Sequence, residues 1–282
     1  MSDYIRQNEV GVDYQVDDIW TILNPIEQSI KNKMETIGTP LKNWDISINY
    51  GIKTGCNEAF IIDGAKRDEI LANCKDENER KRTAEIIRPI LRGRDIERYS
   101  YKFAGLYLIS THDGYYDNNR NYVPKININH YPAIKAHLAQ YWEQISVRTD
   151  KGETPYNLRS CAYMDDFSQQ KIVYSEIVRS PQFYLDKESQ FMVDATSYCI
   201  TGENLDYLID WLNSSSISWC FKRFYTVNLG EQGYRYQKAF IENLPIPKPK
   251  GEQNYHNNDN LIYKTLDFTQ EEINFVSSKV NP

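Results

Sequence analysis

The stretch GIKTGCNEAFIID, residues 51–63, joins two segments that have the character of β-strands. Residues 46–50 alternate apolar and polar side chains before the first glycine, and the apolar run AFIID closes the stretch. Two glycines bracket Lys53 and Thr54, which indicates a tight turn or a close approach of the backbone to a ligand. The pattern predicts strand, turn and strand, with no helix after the glycines.

The same stretch lacks the features of two catalytic motifs that contain similar residues. A Walker loop needs its Lys after the second glycine, where a helix N-terminus meets phosphates, whereas Lys53 and Thr54 precede Gly55. The Lys-Thr-Gly triplet of penicillin-recognising serine enzymes needs an S-x-x-K before it and an S-D-N, and neither is present. G-x-S-x-G and G-x-G-x-x-G motifs are also missing from the chain. The sequence predicts no self-contained active site.

The bulk composition is that of an ordinary soluble globular protein. The 282 residues are 40% hydrophobic and 26% charged, without a signal-like N-terminus or an apolar run of the roughly 20 residues that would span a bilayer. The five cysteines are scattered without a C-x-x-C, which favours reduced thiols and a cytoplasmic location. The four histidines show no metal-binding spacing, so no metal site is predicted.

The distribution of charge keeps a nucleic-acid partner open despite a net charge of −6. The acidity lies towards the ends, with eight acidic and four basic residues in 1–50, whereas residues 80–102 carry eight basic and three acidic side chains. A local basic surface matters more for phosphate binding than the total charge. The 22 tyrosines suit stacking on bases or sugars and protein interfaces, although any one of them is equally well explained as core.

Local signals along the chain alternate between helix and strand. Asn24, Pro25 and Glu27 predict a capped helix start, residues 66–90 have helical character until Pro89, and another helix is expected near Pro132. Residues 205–212 predict another helix, which SISWCFKRF, residues 216–224, either continues or follows, and a capping box predicts a final helix after residue 269. The predicted strands are GLYLIS, KIVYSEIV and SYCIT, and DGYYDNNRNY is interpreted as a polar loop.

These signals predict a mixed α and β fold in one main domain, with a short tail at each end. Residues 1–23 are expected to form a lead-in or linker, residues 24–250 the main domain, and residues 251–282 a polar C-terminal tail with a short helix.

Eight phrases between Trp20 and Lys250 together resemble, in their order, one known family. This family is the TaqI-like C-terminal specificity domain, the target-recognition domain of type IIG and related type II restriction–modification enzymes. Single motifs among them are weak, but the ordered set is specific. The phrases are GIKTGCNEAFIID, IIRPILRGRDIERY, YLI, YPAIKAHL, RTDKGETPYNLRSCAYMDDF, KIVYSEI, LIDWLNSS and FIENLPIP.

The resemblance implies an α+β fold, a mixed and β-rich DNA target-recognition domain with several helices, similar to the specificity subunits of type I systems. In whole enzymes of this family the domain follows an adenine-specific methyltransferase domain, often with a nuclease domain ahead of it. The present sequence has no S-adenosylmethionine motif and no methyltransferase loop, so it is either a specificity subunit or a fragment. The implied partners are double-stranded DNA and a methyltransferase or nuclease domain or subunit, on which S-adenosylmethionine and Mg²⁺ are expected; no cofactor is expected in this chain.

Candidate DNA contacts follow from groove chemistry. Arg and Lys pair with guanine, Asn and Gln pair with adenine, and flanking cations neutralise phosphates. For several candidates a structural role is the alternative: Arg92 with Asp95 as an ion pair, Arg159 as a turn cap, and GIKTG as a hairpin turn. The candidates are Lys53, Thr54, Asn57, Arg92, Arg94, Arg148, Lys151, Arg159 and Arg235.

Two other functions stay open from the sequence. The first is a small metal-dependent nuclease built on acidic residues with nuclease-like spacing, namely Asp63, Asp68 and Glu79 with Lys81. The second is a tyrosine-rich module that binds carbohydrate or protein.

Overall fold

The computed structural model describes residues 23–251 and 255–280, and it confirms the α+β class. The contacts divide the chain into two compact units. The sheet unit comprises residues 47–176 and 182–205, and the helical unit comprises the described residues of 1–46, 177–181 and 206–282. The predicted lead-in lies, apart from Leu23, outside the described residues, and the boundaries at 23 and 250 stay predictions.

Both helices and strands are numbered in chain order. The helices are α1 (Pro25–Ile37), α2 (Asn57–Phe60), α3 (Gly64–Ala72), α4 (Glu77–Ile86), α5 (Pro132–Ala139), α6 (Trp142–Val147), α7 (Leu205–Asn213), α8 (Ser215–Phe224), α9 (Lys238–Ile241), α10 (Asp259–Thr265) and α11 (Gln270–Val280). The strands are β1 (Thr39–Pro40), β2 (Ile46–Tyr50), β3 (Ile61–Asp63), β4 (Ile87–Leu91), β5 (Ile96–Glu97), β6 (Ser100–Tyr101), β7 (Leu106–Ile109), β8 (Tyr115–Tyr116), β9 (Tyr122–Val123), β10 (Lys171–Ser175), β11 (Ile177–Val178), β12 (Phe183–Asp186), β13 (Met192–Val193), β14 (Ser197–Gly202), β15 (Tyr234–Arg235) and β16 (Pro245–Ile246).

Two four-stranded sheets form the framework of the sheet unit. Their strand orders are β12-β10-β14-β2 and β13-β4-β7-β3. The predicted strand KIVYS is β10, which is antiparallel to both β12 and β14 and is buried along its whole length. In the second sheet β4 pairs antiparallel with β7 and parallel with β13. Phe60, Leu108, Phe167 and Val173 are among the fully buried side chains of the core.

The connection from β2 to β3 is not a hairpin, because β2 pairs with β14 whereas β3 pairs with β7. The turn requires Gly55, whose φ of +66° lies in the left-handed region. After it, residues 57–60 form the single-turn helix α2, so the expectation of no helix after the glycines is wrong. That turn of helix carries Ala59 and Phe60 into the core, which a straight continuation of the strand cannot do for two adjacent side chains.

Two further predictions of local structure are also corrected. The helix expected over residues 66–90 is two helices, α3 and α4, and it ends at Ile86, so that Pro89 lies within β4. The polar loop DGYYDNNRNY contains the antiparallel pair β8 and β9.

The helical unit confirms the capping signals at both of its long helices. Asn24 and Glu27 form a reciprocal capping box at the start of α1, and Thr269 and Glu272 do the same at α11. Glu272 also accepts hydrogen bonds from Ser29 and Lys33 of α1, at 2.7 and 2.8 Å. Among the described residues, no helix combines the length and the apolar character needed to cross a bilayer.

Candidate nucleic-acid interface

Three strand ends meet in the sheet unit, those of β2, β4 and β13, and the loops that follow β2 and β4 carry candidate residues. The backbone N–H of Gly51, after β2, donates to the carbonyl of Ser197 at 2.8 Å. The N–H of Asp194, after β13, donates to the carbonyl of Leu91, the last residue of β4, at 3.0 Å. A Cβ at Gly51 would lie 2.0 Å from the carbonyl oxygen of Asp194, so only glycine permits this approach. The turn 194–197 therefore joins the loops 51–57 and 92–95.

Arg148 joins the loop 51–57 to a third loop, residues 148–159. Its side chain is buried, and its guanidinium lies 4.4 Å from the ring centre of Phe60. This geometry places the Arg148 side chain in the framework of the two loops and not among the side chains that face solvent, although the sequence made Arg148 a candidate DNA contact. The guanidinium donates to four backbone carbonyls, those of Thr54, Asp150, Pro155 and Asn157.

Thr54 and Asn57 shape the turn between the glycines and α2. The hydroxyl of Thr54, which is buried, donates to Oδ1 of Asn57 at 2.5 Å and accepts from the N–H of Cys56 at 3.2 Å. Asn57 is exposed at the first position of α2. Of these two candidates, only Asn57 is placed to meet a ligand.

Lys53 and Arg159 come together around one carboxylate. Nζ of Lys53 lies 3.6 Å from Oδ2 of Asp150, and Nη1 of Arg159 lies 3.4 Å from its Oδ1. Both cationic side chains are more than half exposed, at 54% and 53%. Long, exposed pairs of this kind are weak and are screened by salt. One carboxylate against two cations leaves a positive surface that a phosphate oxygen can approach.

Lys151 lies on the same loop, between Asp150 and Arg159. Its side chain is exposed, and Nζ donates to the carbonyl of Ser146 at 2.6 Å. Three basic candidates are therefore presented to solvent by the loops 51–57 and 148–159.

The turn after β4 separates the roles of its two arginines. Arg92 makes two 2.8 Å hydrogen bonds to Asp95, so the alternative of an ion pair is the arrangement found. Burial alone would raise the pKa of Asp95, but the Arg92 hydrogen bonds outweigh burial and hold that pKa below its usual value. Arg94 is exposed on the same turn, which Thr196 anchors through the N–H of Gly93 at 3.0 Å.

Arg235 belongs to the helical unit, where its backbone pairs with Ile177. Its side chain is half-buried, and its Nε is buried with no hydrogen-bond partner among the residues that the structure describes. The basic residues of 80–102 are distributed over α4, β4, the turn 92–95, the connection between β5 and β6, and the position after β6.

A β-hairpin supplies polar side chains that the sequence analysis did not identify. Residues 117–121 join the strands β8 and β9. Within this turn the backbone N–H of Arg120 donates to the carbonyl of Asp117 at 2.8 Å. Asn118, Asn119 and Arg120 are exposed at the tip. The rings of Tyr116 and Tyr122, 5.3 Å apart, flank the tip. Pairs of aromatic or β-branched residues on both sides of a short polar run are a strand signal that would have indicated this hairpin.

The base of this hairpin is fixed to the loop 148–159. The side-chain amide of Asn157 donates to the carbonyls of His112 and Ile126, at 3.3 and 2.9 Å. The hydroxyl of Thr111 donates to the carbonyl of Tyr156 at 2.7 Å. Because these bonds are buried or partly buried, the hairpin and the loop that carries Lys151 and Arg159 form one connected element.

The acidic residues that suggested a nuclease have separate structural tasks. Asp63 caps α3, Asp68 pairs with the neighbouring Arg67, and the fully buried Glu79 accepts the N–H of Ala133 at 3.0 Å. Within residues 23–251 and 255–280, no group of three or more His, Cys, Asp or Glu is placed to hold a metal.

Comparison with known proteins gives a family and two similar solved structures. The TaqI-like C-terminal specificity domain family matches residues 88–246. No curated protein matches the sequence. The type IIL restriction–modification enzyme MmeI in complex with DNA is similar in fold, with a TM-score of 0.51 and 13% identity, over 73% of this chain and 25% of that one. The type IIG restriction endonuclease BpuSI has a TM-score of 0.49 and 14% identity, over 90% of this chain and 32% of its own.

Proposed function

Because the chain belongs to the TaqI-like C-terminal specificity domain family, as its sequence predicts, we propose that it reads the DNA target of a type II restriction–modification enzyme. The observation that carries this proposal is the exposed set of Lys53, Lys151 and Arg159 beside the hairpin tip. These side chains stand on loops that Arg148 and Asn157 connect through buried hydrogen bonds. Arg94 and Asn57 extend the set on the adjoining loops.

Lys53, Lys151 and Arg159 act on the DNA backbone in this proposal. Phosphate contacts set the register and orientation of a protein on the duplex but carry no sequence information directly. Asp150 holds the Lys53 and Arg159 side chains near each other before DNA arrives. A phosphate oxygen then replaces the weak contacts to Asp150 with charge-assisted hydrogen bonds.

The hairpin tip acts on the bases. The major groove of B-DNA admits a two-stranded β-ribbon, and its base edges offer bidentate partners to Asn at adenine and to Arg at guanine. Asn118, Asn119 and Arg120 are these residue types at the exposed end of such a ribbon. Fixing the base of the hairpin to the loop 148–159 keeps base reading in register with the phosphate contacts.

The chemistry belongs to a partner in this proposal. The chain spans about a quarter of the length of MmeI and about a third of that of BpuSI, which are named as a restriction–modification enzyme and a restriction endonuclease. We propose that methyltransferase and nuclease domains, in the same chain or in another subunit, bind S-adenosylmethionine and Mg²⁺ and act where this domain places them. A methyltransferase of this kind takes its target base out of the stack, while this domain holds the surrounding duplex.

The first expected result is that the protein binds duplex DNA in a salt-dependent manner and that Lys53 and Arg159 contribute to this binding. For the double variant K53A/R159A, the slope of log K against log salt is expected to become shallower by about two, because each phosphate contact contributes about one. The measurement is a titration of a fluorescent duplex at several salt concentrations. The control is R80A/K81A, which removes one Arg and one Lys, both exposed, from α4. Wild-type protein that binds no duplex, or an unchanged slope in K53A/R159A, contradicts the proposal.

The second expected result concerns sequence specificity. A chimera in which this chain replaces the recognition domain of a related methyltransferase is expected to methylate a new motif. In the same chimera N118A/N119A/R120A is expected to relax the motif, because each base-reading side chain that is removed costs about 1–3 kcal/mol of discrimination. Mapping of methylated sites is the measurement, and R80A/K81A again is the control. An active chimera that keeps its old motif places specificity outside this chain, whereas a motif unchanged by the tip variant places it outside the hairpin.

A further inference from the structure

The helical unit contains a cavity of about 370 Å³ that is independent of the loops described above. One wall is a single stripe of α8, because Ser215, Ser218, Trp219 and Lys222 follow the i, i+3, i+4, i+7 spacing of one helix face. The opposite face of α8 contributes Ile217, Cys220 and other buried apolar side chains to the core. The cavity side of this helix is therefore polar and basic by its sequence pattern.

The cavity has an excess of positive charge. Among the described residues that line it, Lys222, Arg223 and Lys279 are cationic and none is acidic. Glu27 accepts two hydrogen bonds from the Arg223 guanidinium, at 2.7 and 2.9 Å, and so neutralises this side chain and fixes its position. Lys222 and Lys279 supply the remaining charge.

Lys222 is a cation held partly out of water without a counter-ion. Its Nζ donates to the carbonyl of Arg179 at 2.5 Å and lies 5.2 Å from the ring centre of Tyr234. Burial lowers the pKa of Lys222, and no carboxylate in the described part of the chain pairs with it. An ammonium in this position gains most from an anion that enters the cavity.

The remaining lining suits an organic group attached to that anion. Trp219, Tyr234 and Pro181 provide flat or apolar surface, and Ser180 and Ser215 add polar side chains to the lining. The cavity volume falls at the lower end of the roughly 300–1,000 Å³ of small-ligand sites. Aromatic side chains beside a cation are the arrangement on which proteins stack nucleobases.

We propose that this cavity is a phosphate-binding site, filled by the phosphate of a nucleotide or of a DNA strand, with Lys222 and Lys279 as its cations and with Trp219 and Tyr234 against the attached nucleoside. The site is separate from the base- and phosphate-reading loops of the proposed function, and it holds or fails independently of them.

The experiment measures binding of four probes to the full chain by calorimetry. The probes are inorganic phosphate, adenosine monophosphate, a short single-stranded oligonucleotide and a duplex. In K222M/K279M, which keeps the aliphatic stems, the dissociation constant for adenosine monophosphate is expected to rise about a hundredfold, since each of the two charge-assisted hydrogen bonds that are removed contributes about a factor of ten. The control is K238M/K264M, two exposed lysines of the helical unit outside the cavity, which is expected to bind as wild type does.

The pattern across the probes identifies the source of the phosphate. Binding of adenosine monophosphate that the oligonucleotide does not displace supports a free nucleotide, and displacement by the oligonucleotide supports a DNA strand. If wild-type protein binds none of the probes through this cavity, or K222M/K279M binds them as tightly as wild type, the proposal is overturned. K279M alone removes an exposed side chain and serves as the test if the double variant lowers the melting temperature. Duplex binding that depends on Lys53 and Arg159 is unaffected by either result.

Discussion

Replacing Arg148 with alanine is expected to lower the free energy of unfolding by about 3 kcal/mol or more. Four carbonyl oxygens each lose one hydrogen bond, and a charged donor contributes about 1.5–3 kcal/mol for a single hydrogen bond. Removing the cation from the face of the Phe60 ring adds to this cost. Urea denaturation of wild type and R148A measures the difference in the free energy of unfolding. The slope of this free energy against urea concentration is expected to be the same for both proteins.

Arg159→Ala is the matched control for this result, because it removes the same side chain from the same loop at an exposed position. Its effect on the free energy of unfolding is expected to stay within about 0.5 kcal/mol. Arg148→Lys is expected to fall between wild type and Arg148→Ala, since one ammonium does not reproduce the planar fork of the guanidinium. If R148A is as stable as R159A, then Arg148 does not hold the two loops together.

The structural role of Arg148 could not be predicted from the sequence. In the sequence it is one more arginine in a polar stretch, like Arg159 eleven positions later. What makes it structural is the convergence of Thr54 and Phe60, about ninety residues earlier in the chain, on its guanidinium. No local spacing rule encodes a contact of that range. The individual DNA contacts therefore stay predictions, although the sequence indicated the loops that carry most of them.

Local signals were the most reliable part of the prediction. Capping boxes join residues three positions apart, so Asn24 with Glu27 and Thr269 with Glu272 could be recognised without any knowledge of the tertiary fold.

Pro89 was misleading because it was interpreted as the end of a helix. It lies instead in β4, at a point where β13 does not reach, since β13 pairs only with Ile90 and Leu91. Because no β13 residue pairs with β4 at this point, the missing backbone N–H of Pro89 is tolerated there.

The pairing of strands explains the remaining errors. The stretch 51–63 follows β2 and ends in β3, which belong to different sheets, and their partners β14 and β7 are remote in the chain. A strand–turn–strand pattern is therefore as compatible with a crossover as with a hairpin. Local signals indicated a mixed α and β fold, whereas the family resemblance supplied the kind of domain and its role.

The buried ion pair between Lys171 and Asp186 is expected to give the other large effect. Both side chains are almost completely buried, and Nζ of Lys171 lies 2.7 Å from Oδ2 of Asp186. The carboxylate also accepts the N–H groups of Gln190 and Phe191, each at 3.0 Å, and so shapes the chain just before β13. Asp186→Asn leaves a buried ammonium without its counter-ion, which is expected to cost about 3–5 kcal/mol in the free energy of unfolding.

The pH dependence of the variant separates this electrostatic cost from a loss of packing. Burial already lowers the pKa of Lys171 in the wild-type protein, against the opposing effect of Asp186, so removing that carboxylate lowers it further. The unfolded chain then binds more protons than the native protein, and the free energy of unfolding of D186N is expected to rise with pH until the unfolded lysine titrates near 10.4. The double variant K171M/D186N has no cation to bury and is expected to be more stable than D186N. The measurement is denaturation of wild type, D186N and K171M/D186N at pH values from about 6 to about 10, below the reference pKa of lysine. A D186N protein within about 1 kcal/mol of wild type, or a deficit that does not shrink as pH rises, would show that the pair does not hold this part of the sheet unit together.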